Sequence, residues 1–485
     1  MTDKKGIITT IYNVIAMDIR NRLKEVGFMK RIFANIYMRL LKVLNVMGSA
    51  VLFWLSWHYY YSLRFRIGLE GYGDVLVILI YCIIQILLNK TYNAFDIGSM
   101  SVGKLFYSLS IADAVGSVIY IVIMTLGWAD IPNPFPLMGV FAVQVIWNAV
   151  WSFFANHEYF RIYKAQKTAV IYGDTEDIEK LSELGKYKKK YSIEKYVSID
   201  QPFEKILDEI KDMEAVFVTG VDVNERNAIS EECILRRINM YFIPNSNDVI
   251  VAGAKHLQMF SVPILIARRK TLSPEYMLIK RAIDIAASIM AIIVFSPIML
   301  ITALCVKLYD RGPVFYKQVR LTKDRKEFRI LKFRSMRVDA EKDGVARLAS
   351  QNDDRITPVG KIIRALRIDE MPQLLNILGG SMTIVGPRPE RPEIAEQYEK
   401  EIPSFALRLQ VKAGLTGYAQ IYGRYNTLPY DKLQMDLLYI NRMSLLEDIQ
   451  LMLATIKILF MRESTEGVQT GQTTAAKEKK PGIDM

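Results

Sequence analysis

Arg364-Ala365-Leu366-Arg367-Ile368-Asp369-Glu370 sets two adjacent acids directly behind two arginines, and Pro387-Arg388-Pro389 follows a short way downstream. Carboxylates can act as nucleophiles or metal ligands, and guanidinium groups hold phosphate oxygens in bidentate fashion. The combination points to phosphate chemistry. Neighbouring residues of a helix or turn do not face the same way, so Asp369 and Glu370 should do different jobs rather than share a proton. Arg388 lies between two prolines that restrict its backbone, which suits a pre-organised phosphate ligand; an arginine in a surface turn would look the same. Lys332 and Arg334, in Lys332-Phe333-Arg334, contact either phosphate or a membrane interface.

The elements around these residues follow from local signals. Thr357-Pro358 reads as an N-cap with proline at the first helical position. That helix carries Lys361, Arg364 and Arg367, and the spacing of the two arginines puts them on one face. A turn over residues 368–371 then presents the acids, and Pro372 opens a helix over 373–378. Asp369 could simply cap that helix. A helix N-terminus also attracts anions, so cap and nucleophile are compatible roles. Gly379-Gly380 and Gly414 to Gly417 are loop signals, explained equally by turn geometry or by close approach of a substrate.

Other chemistries are disfavoured. The three cysteines, Cys82, Cys233 and Cys305, show no paired spacing, so no disulfide framework or zinc site is expected. Cys82 and Cys305 sit in apolar runs and read as buried hydrophobes. His58, His157 and His256 are too dispersed for a triad or a histidine metal site.

The chain has 485 residues, 51% hydrophobic and 24% charged, with net charge +12. This mixture fits membrane helices joined to soluble domains, two to four in all. Residues 305–337 hold eleven Lys/Arg against three Asp/Glu. Beside an apolar segment, such a stripe predicts contact with anionic membrane lipid or phosphate rather than nucleic acid.

Residues 1–39 form a basic arm without a removable signal peptide. Four apolar stretches, 40–61, 72–88, 105–128 and 135–154, are each near membrane-spanning length, so residues 40–157 are expected to be four transmembrane helices. Trp54, Trp57, Trp128 and Trp151 fall toward their ends, where interfacial aromatics are expected. The basic loops put both ends of this set in the cytoplasm. Asp113, inside the third stretch, predicts a helix–helix hydrogen bond.

Residues 165–270 alternate strand and helix signals. Strands are expected at 168–172, 215–219 and 240–244, and helices after 173, at 202–211 and at 224–239. That alternation implies a parallel sheet in a Rossmann-like module, although the glycine fingerprint for dinucleotides is missing. Residues 285–306 are an uncharged run with Ser296-Pro297 at its middle and basic residues on both flanks, Lys280-Arg281 before and Lys307-Arg311 after. Proline removes a helical donor and should break the helix; Ser296 can bond the freed carbonyl. A re-entrant hairpin over about 280–306 is expected. An amphipathic segment over 437–460 should pack beneath it or lie at the interface. Residues 462–485 should be a disordered tail.

Five ordered blocks resemble the bacterial sugar transferase family of monotopic polyprenyl-phosphate phosphoglycosyl transferases. They are Lys280-Arg281 with Ser296-Pro297, Lys332-Phe333-Arg334-Ser335-Met336, the Asp369-Glu370 block, Gly386-Pro387-Arg388-Pro389, and Gly414-Leu415-Thr416-Gly417. The resemblance covers roughly 273–460, and the N-terminal half is similar to that of the extended members. It implies a mainly α-helical catalytic domain over 273–461 with a re-entrant membrane helix, beside the membrane helical bundle and the α/β module. It also implies that Asp369 attacks the β-phosphorus of a UDP-sugar, that UMP leaves, and that undecaprenyl phosphate takes the sugar phosphate. Glu370 is implied to hold Mg²⁺, with Mn²⁺ as an alternative, and Arg388 to hold the nucleotide phosphates. The setting implied is the cytoplasmic face of a bacterial plasma membrane, with room for a homodimer, and the product would start an exopolysaccharide, capsule or O-antigen glycan. The rival readings are a non-enzymatic membrane scaffold and a glycosyltransferase that moves sugar without phosphate.

Overall fold

A computed structural model describes residues 33–64, 72–128, 131–173, 188–259, 262–270, 272–338, 340, 355–423 and 428–459. Most of the basic arm, the helix expected after residue 173 and the expected disordered tail lie outside them. The chain divides into two compact units, Met1–Ile243 and Pro244–Met485. The division falls inside the α/β stretch expected over 165–270, so its last part belongs with the second unit.

In the first unit, four long helices match the four apolar stretches and extend past them: α1 (Phe33–Tyr61), α2 (Tyr72–Thr91), α3 (Val102–Trp128) and α4 (Phe135–Ile162). Each is long and apolar enough to cross a membrane. Their outer faces expose residues such as Leu79, Ile83, Val118 and Ile146, while polar residues turn inward. Asp113 accepts a 2.6 Å bond from Asn148 Nδ2, the expected interhelical contact, and Gln144 Nε2 donates to Tyr81 Oη at 2.7 Å. In hydrocarbon such groups must find partners within the bundle. Trp57 and Trp151 turn into the bundle rather than outward. Both are buried, and their indole N–H groups are taken by Asp74 and by the Leu41 carbonyl.

After α4 comes a four-stranded, fully parallel sheet in the order β2-β1-β3-β4. Its strands are β1 (Gln166–Tyr172), β2 (Tyr191–Ser198), β3 (Ala215–Thr219) and β4 (Asn239–Phe242), with helices α5 (Phe203–Ile210) and α6 (Val223–Leu235) between them. Ala169, Ile171, Val216 and Val218 form its buried core with Ile206 and Ile229. The sequence reading missed β2, whose residues are mostly polar and only one of which, Val197, is buried on this edge position. Cys233, not Cys305, is the buried cysteine; Cys305 is exposed.

The second unit begins with α7 (Ser246–Ala252) and a hairpin of β5 (Lys255–Met259) and β6 (Val262–Ile266). The long helix α8 (Pro274–Asp310) follows, with Ser273 as N-cap and Arg311 closing it in a left-handed conformation. Contrary to expectation, α8 continues through Pro297. The physical reason is local. Proline leaves the Ile293 carbonyl without its amide partner, and the Ser296 hydroxyl donates to that same carbonyl at 2.8 Å. The middle of α8 exposes Met290, Ile293, Leu300 and Leu304.

Both ends of α8 are held by the same unit. At the start, Lys280 Nζ meets Asp448 at 2.7 Å, Arg281 donates to the carbonyls of Ile377 and Leu378, and Asp284 accepts from Thr383 and the Ile384 amide. At the far end, Val306 packs with Phe333 and Ile363, and Asp310 pairs with Arg334. Arg269 before the helix pairs with Asp324 after it.

Next come an antiparallel hairpin of β7 (Phe315–Leu321) and β8 (Glu327–Phe333), then α9 (Pro358–Ala365), α10 (Gln373–Leu378) and β9 (Thr383–Val385). They are followed by α11 (Pro392–Glu401), β10 (Gly414–Thr416) parallel to β9, α12 (Tyr418–Tyr422), α13 (Pro429–Arg442) and α14 (Leu445–Leu459). The amphipathic run expected over 437–460 is therefore two helices. Ser444 Oγ caps the second by accepting from the Glu447 amide. One apolar core of Leu374, Ile377, Val385, Tyr398, Phe405, Leu433 and Leu451 binds these elements together.

Candidate active site

The acids stand on a single 3₁₀ turn, Ile368–Glu370, between α9 and α10. Thr357 caps α9 as expected, accepting from the Gly360 amide at 2.9 Å. The helix then stops because Arg367 takes a left-handed conformation with φ 54°. Arg364 and Arg367 consequently do not share a helix face, as their spacing had suggested. Instead the reversal at Arg367 turns the chain so that the acids follow at once. Asp369 does not cap α10: its N-cap position is Pro372, with no side-chain cap bond.

The two acids occupy opposite electrostatic environments. Asp369 is 9% exposed, and burial pushes its carboxyl up to about 6 against the pull of Lys332. Burial also works to raise Glu370, but Lys332, Arg388 and Arg367 outweigh it and hold that carboxyl well below its usual range. Glu370 Oε1 receives Lys332 Nζ and Arg388 Nη2, each at 2.9 Å. The two carboxyls are therefore shifted in opposite directions. Around the acids stand Lys332, Arg364, Arg367 and Arg388, with burial drawing the Arg367 pKa down. A small cleft is lined by Arg320, Ile330, Lys332, Glu370, Gln373, Arg388, Pro389 and Gly414.

Not every expected site residue gathers here. Arg334 is buried and paired with Asp310, where it fastens the end of α8. Lys280 and Arg281 fasten its start, and Ser296 and Pro297 lie in its apolar middle. The glycine signals at 414–417 are explained by backbone packing. A Cβ on Gly414 would lie 2.1 Å from the Gly386 nitrogen, and one on Gly417 2.3 Å from the Gly386 carbonyl oxygen.

Sequence reasoning missed a layer beneath the cleft. Arg408 Nη2 lies 2.7 Å from Asp436 Oδ2, and Arg408 Nη1 lies 3.6 Å from Glu390 Oε1. Burial pushes Asp436 up to about 6 and draws Arg320 down to about 10. Burial acts to raise Glu390 too, but Lys432, Arg408 and Arg320 hold it low. A charged residue inside an amphipathic helix, as Asp436 is in α13, gives no signal until its partner is known.

Among the described residues no three acidic, His or Cys side chains cluster as a metal cage. Mg²⁺ asks for less: it commonly takes one or two carboxylates and completes its shell with water and phosphate oxygens. Glu370, the carboxylate expected to hold it, has its Oε1 already paired with Lys332 and Arg388.

The paired-acid turn thus stands among cations, in a unit that carries an apolar helix of membrane length. Residues 275–462 match the family model described as bacterial sugar transferase. The chain is 40% identical over 232 residues to the UDP-N-acetylgalactosamine-undecaprenyl-phosphate N-acetylgalactosaminephosphotransferase of Aeromonas hydrophila, covering 47% of this chain and 53% of that one. It is 41% identical over 223 residues to the UDP-glucose:undecaprenyl-phosphate glucose-1-phosphate transferase of Escherichia coli, covering 45% and 48%. The chain thus spans about half the length of these two curated relatives. Against the Rhizobium leguminosarum exopolysaccharide production protein PSS it is 38% identical over 191 residues, 37% of this chain and 94% of the relative. The chain belongs to the bacterial sugar transferase family.

Proposed function

We propose that this protein transfers a sugar 1-phosphate from a UDP-sugar to undecaprenyl phosphate, releasing UMP and starting a lipid-linked glycan. The observation that carries the proposal is the asymmetric acid pair. Asp369 is buried, and among the described residues no ion pair is made by its carboxylate, whereas Glu370 is locked among cations. The Asp369 carboxylate attacks the β-phosphorus. An O–P bond forms, the bond to the bridging oxygen breaks, and UMP leaves with that electron pair. A phosphate oxygen of undecaprenyl phosphate then attacks the same phosphorus and displaces the carboxylate. Arg388, Arg364, Arg367 and Lys332 offset the charge of the diphosphate. Glu370 would hold Mg²⁺ or Mn²⁺, which when bound supplies further neutralisation of phosphate charge.

The names of the relatives support the donor and acceptor classes. They split between glucose and N-acetylgalactosamine, so the sugar is left to the assay. The parallel order β2-β1-β3-β4 supports reading the first unit's sheet as Rossmann-like. Three contacts support re-entry of α8 from the cytoplasmic leaflet: Arg269 with Asp324, Arg281 with the Ile377 carbonyl, and Arg334 with Asp310. A straight helix of 37 residues would be about 55 Å long, at about 1.5 Å per residue. Charged residues on both sides of its apolar middle nonetheless bind one unit. The basic, partly apolar outer face of β7, with Lys317, Phe315 and Val319, suits anionic lipid at that leaflet. The catalytic unit would then lie at the cytoplasmic face of a bacterial plasma membrane.

The test is a release assay with the purified chain, undecaprenyl phosphate and a panel of UDP-sugars. UMP from at least one sugar is expected. UDP instead would mean a glycosyltransferase, and no nucleotide from any sugar would favour a scaffold.

A further inference from the structure

The loop bearing Arg388 is clamped along its whole backbone. Four successive carbonyls each accept from a different donor. The Gly414 amide donates to Pro387 O at 2.9 Å, Arg408 Nη2 to Arg388 O at 2.8 Å, Arg320 Nη1 to Pro389 O at 3.1 Å, and the Leu321 amide to Glu390 O at 3.0 Å. Two of these residues are prolines, with φ already restricted. The central clamp is the least expected. Arg408 comes from the 3₁₀ segment Pro403–Gln410, its side chain is 3% exposed, and its guanidinium lies 4.8 Å from the Phe405 ring centre. Its charge is answered by Asp436, itself 1% exposed, and at longer range by Glu390.

A buried ion pair is weak evidence for stability, because apolar residues of similar volume often serve as well. What an apolar pair could not supply is the N–H given to the Arg388 carbonyl. Arg388 is the residue of this loop whose side chain reaches Glu370, at 2.9 Å, and it remains 39% exposed toward solvent. The point from which its side chain reaches Glu370 is set by where its backbone is held.

We propose that the buried Arg408–Asp436 pair is a positioning device for Arg388, fixing its carbonyl so that its guanidinium is aimed beside Glu370 at the diphosphate of a nucleotide-activated sugar. The identity of that anion rests on the function proposed above; the mechanical coupling of Arg408 to Arg388 does not.

The experiment is a double-mutant comparison on the full chain in detergent. Arg408→Lys, and the charge-neutral pair Arg408→Met with Asp436→Asn, are each made in the unmodified and the Arg388→Ala backgrounds. UDP binding is measured by calorimetry, and KM and kcat by UMP release. In the unmodified background the neutral pair should weaken UDP binding and raise KM about tenfold, the scale of one charge-assisted hydrogen bond. Arg408→Lys should act in the same direction with a smaller effect. In the Arg388→Ala background both effects should shrink to within about twofold, because no guanidinium is left to aim. A loss of equal size in both backgrounds would mark a merely structural pair and overturn the proposal. So would unchanged binding in folded variants. If the neutral pair does not fold, Arg408→Lys decides alone. A loss of about threefold or more that vanishes with Arg388→Ala supports the coupling, and no loss refutes it. Should the unmodified chain release no UMP from any sugar, UDP binding still reads the coupling, so the two failures separate.

Discussion

Asp369→Asn should make the catalytic unit more stable while destroying its activity. The folded chain holds the Asp369 proton up to about 6, against an ordinary value of 3.8 for an aspartate in an unfolded chain. Between those values the unfolded chain has released its proton and the folded chain still keeps it. Stability therefore falls as pH rises through this window, and the full penalty persists above about 6. At 1.36 kcal/mol per pH unit the interval amounts to a penalty on the order of 3 kcal/mol. Asparagine does not ionise and escapes it, so at pH 7.5 the variant should be the more stable by up to that amount. Below about pH 4 the two chains should converge. All five tryptophans lie before residue 152, so tryptophan fluorescence would report on the other unit. Amide hydrogen exchange in α10 and α13 is the suitable readout. A difference of about 3 kcal/mol would slow exchange through global opening roughly a hundredfold. Faster exchange in the variant at pH 7.5, or a difference that does not change with pH, would refute the assignment of Asp369 as a buried acid whose ionisation costs stability.

UMP release should fall as pH drops through about 6, where Asp369 takes up its proton. Lys332→Met removes the strongest pull toward ionisation, so that acid limb should move to higher pH; an unmoved limb would mean Lys332 does not act on Asp369. Arg388→Ala should cost about 2–3 kcal/mol in kcat/KM for the UDP-sugar. Arg388→Lys should recover only part of it, since an ammonium lacks the bidentate fork, and full recovery would reduce the role to charge alone. Excess chelator should stop turnover and Mg²⁺ or Mn²⁺ restore it; undiminished turnover would remove the metal from the mechanism. Single cysteines at positions 269 and 326, in a chain lacking the native three, should both resist an impermeant thiol reagent in intact cells and react after lysis. Labelling of position 326 from outside would contradict re-entry of α8.

The four membrane-length helices were legible because length and hydropathy alone define them, and β1 and β3 because buried parallel strands are short apolar runs. Of the two edge strands, β4 was legible because Met240-Tyr241-Phe242 is apolar although largely exposed, while β2 carries no such run, and it escaped. The Asp369-Glu370 turn was legible from its flanking Thr357-Pro358 and Pro372, but the left-handed Arg367 was not. A non-glycine residue at positive φ leaves no mark on the sequence, and it moved Arg367 off the face predicted for it. Arg334 looked like a phosphate ligand by composition. Its partner Asp310 is far enough away in sequence, and ordinary enough, that only the fold reveals the pair. Pro297 read as a break because the rule for proline is local; the Ser296 bond to Ile293 satisfies the same carbonyl the rule had counted as lost. Arg408 and Asp436 were invisible for the same reason as Arg334.

The most direct test of the central claim is the intact mass of the purified chain after incubation with a UDP-sugar in the absence of undecaprenyl phosphate. A nucleophilic Asp369 predicts a mass gain of one sugar phosphate, mapped to the peptide containing Asp369, lost on adding undecaprenyl phosphate and absent from Asp369→Asn. Turnover by the unmodified chain without that adduct, together with UMP release by Asp369→Asn at a near-normal rate, would contradict the account.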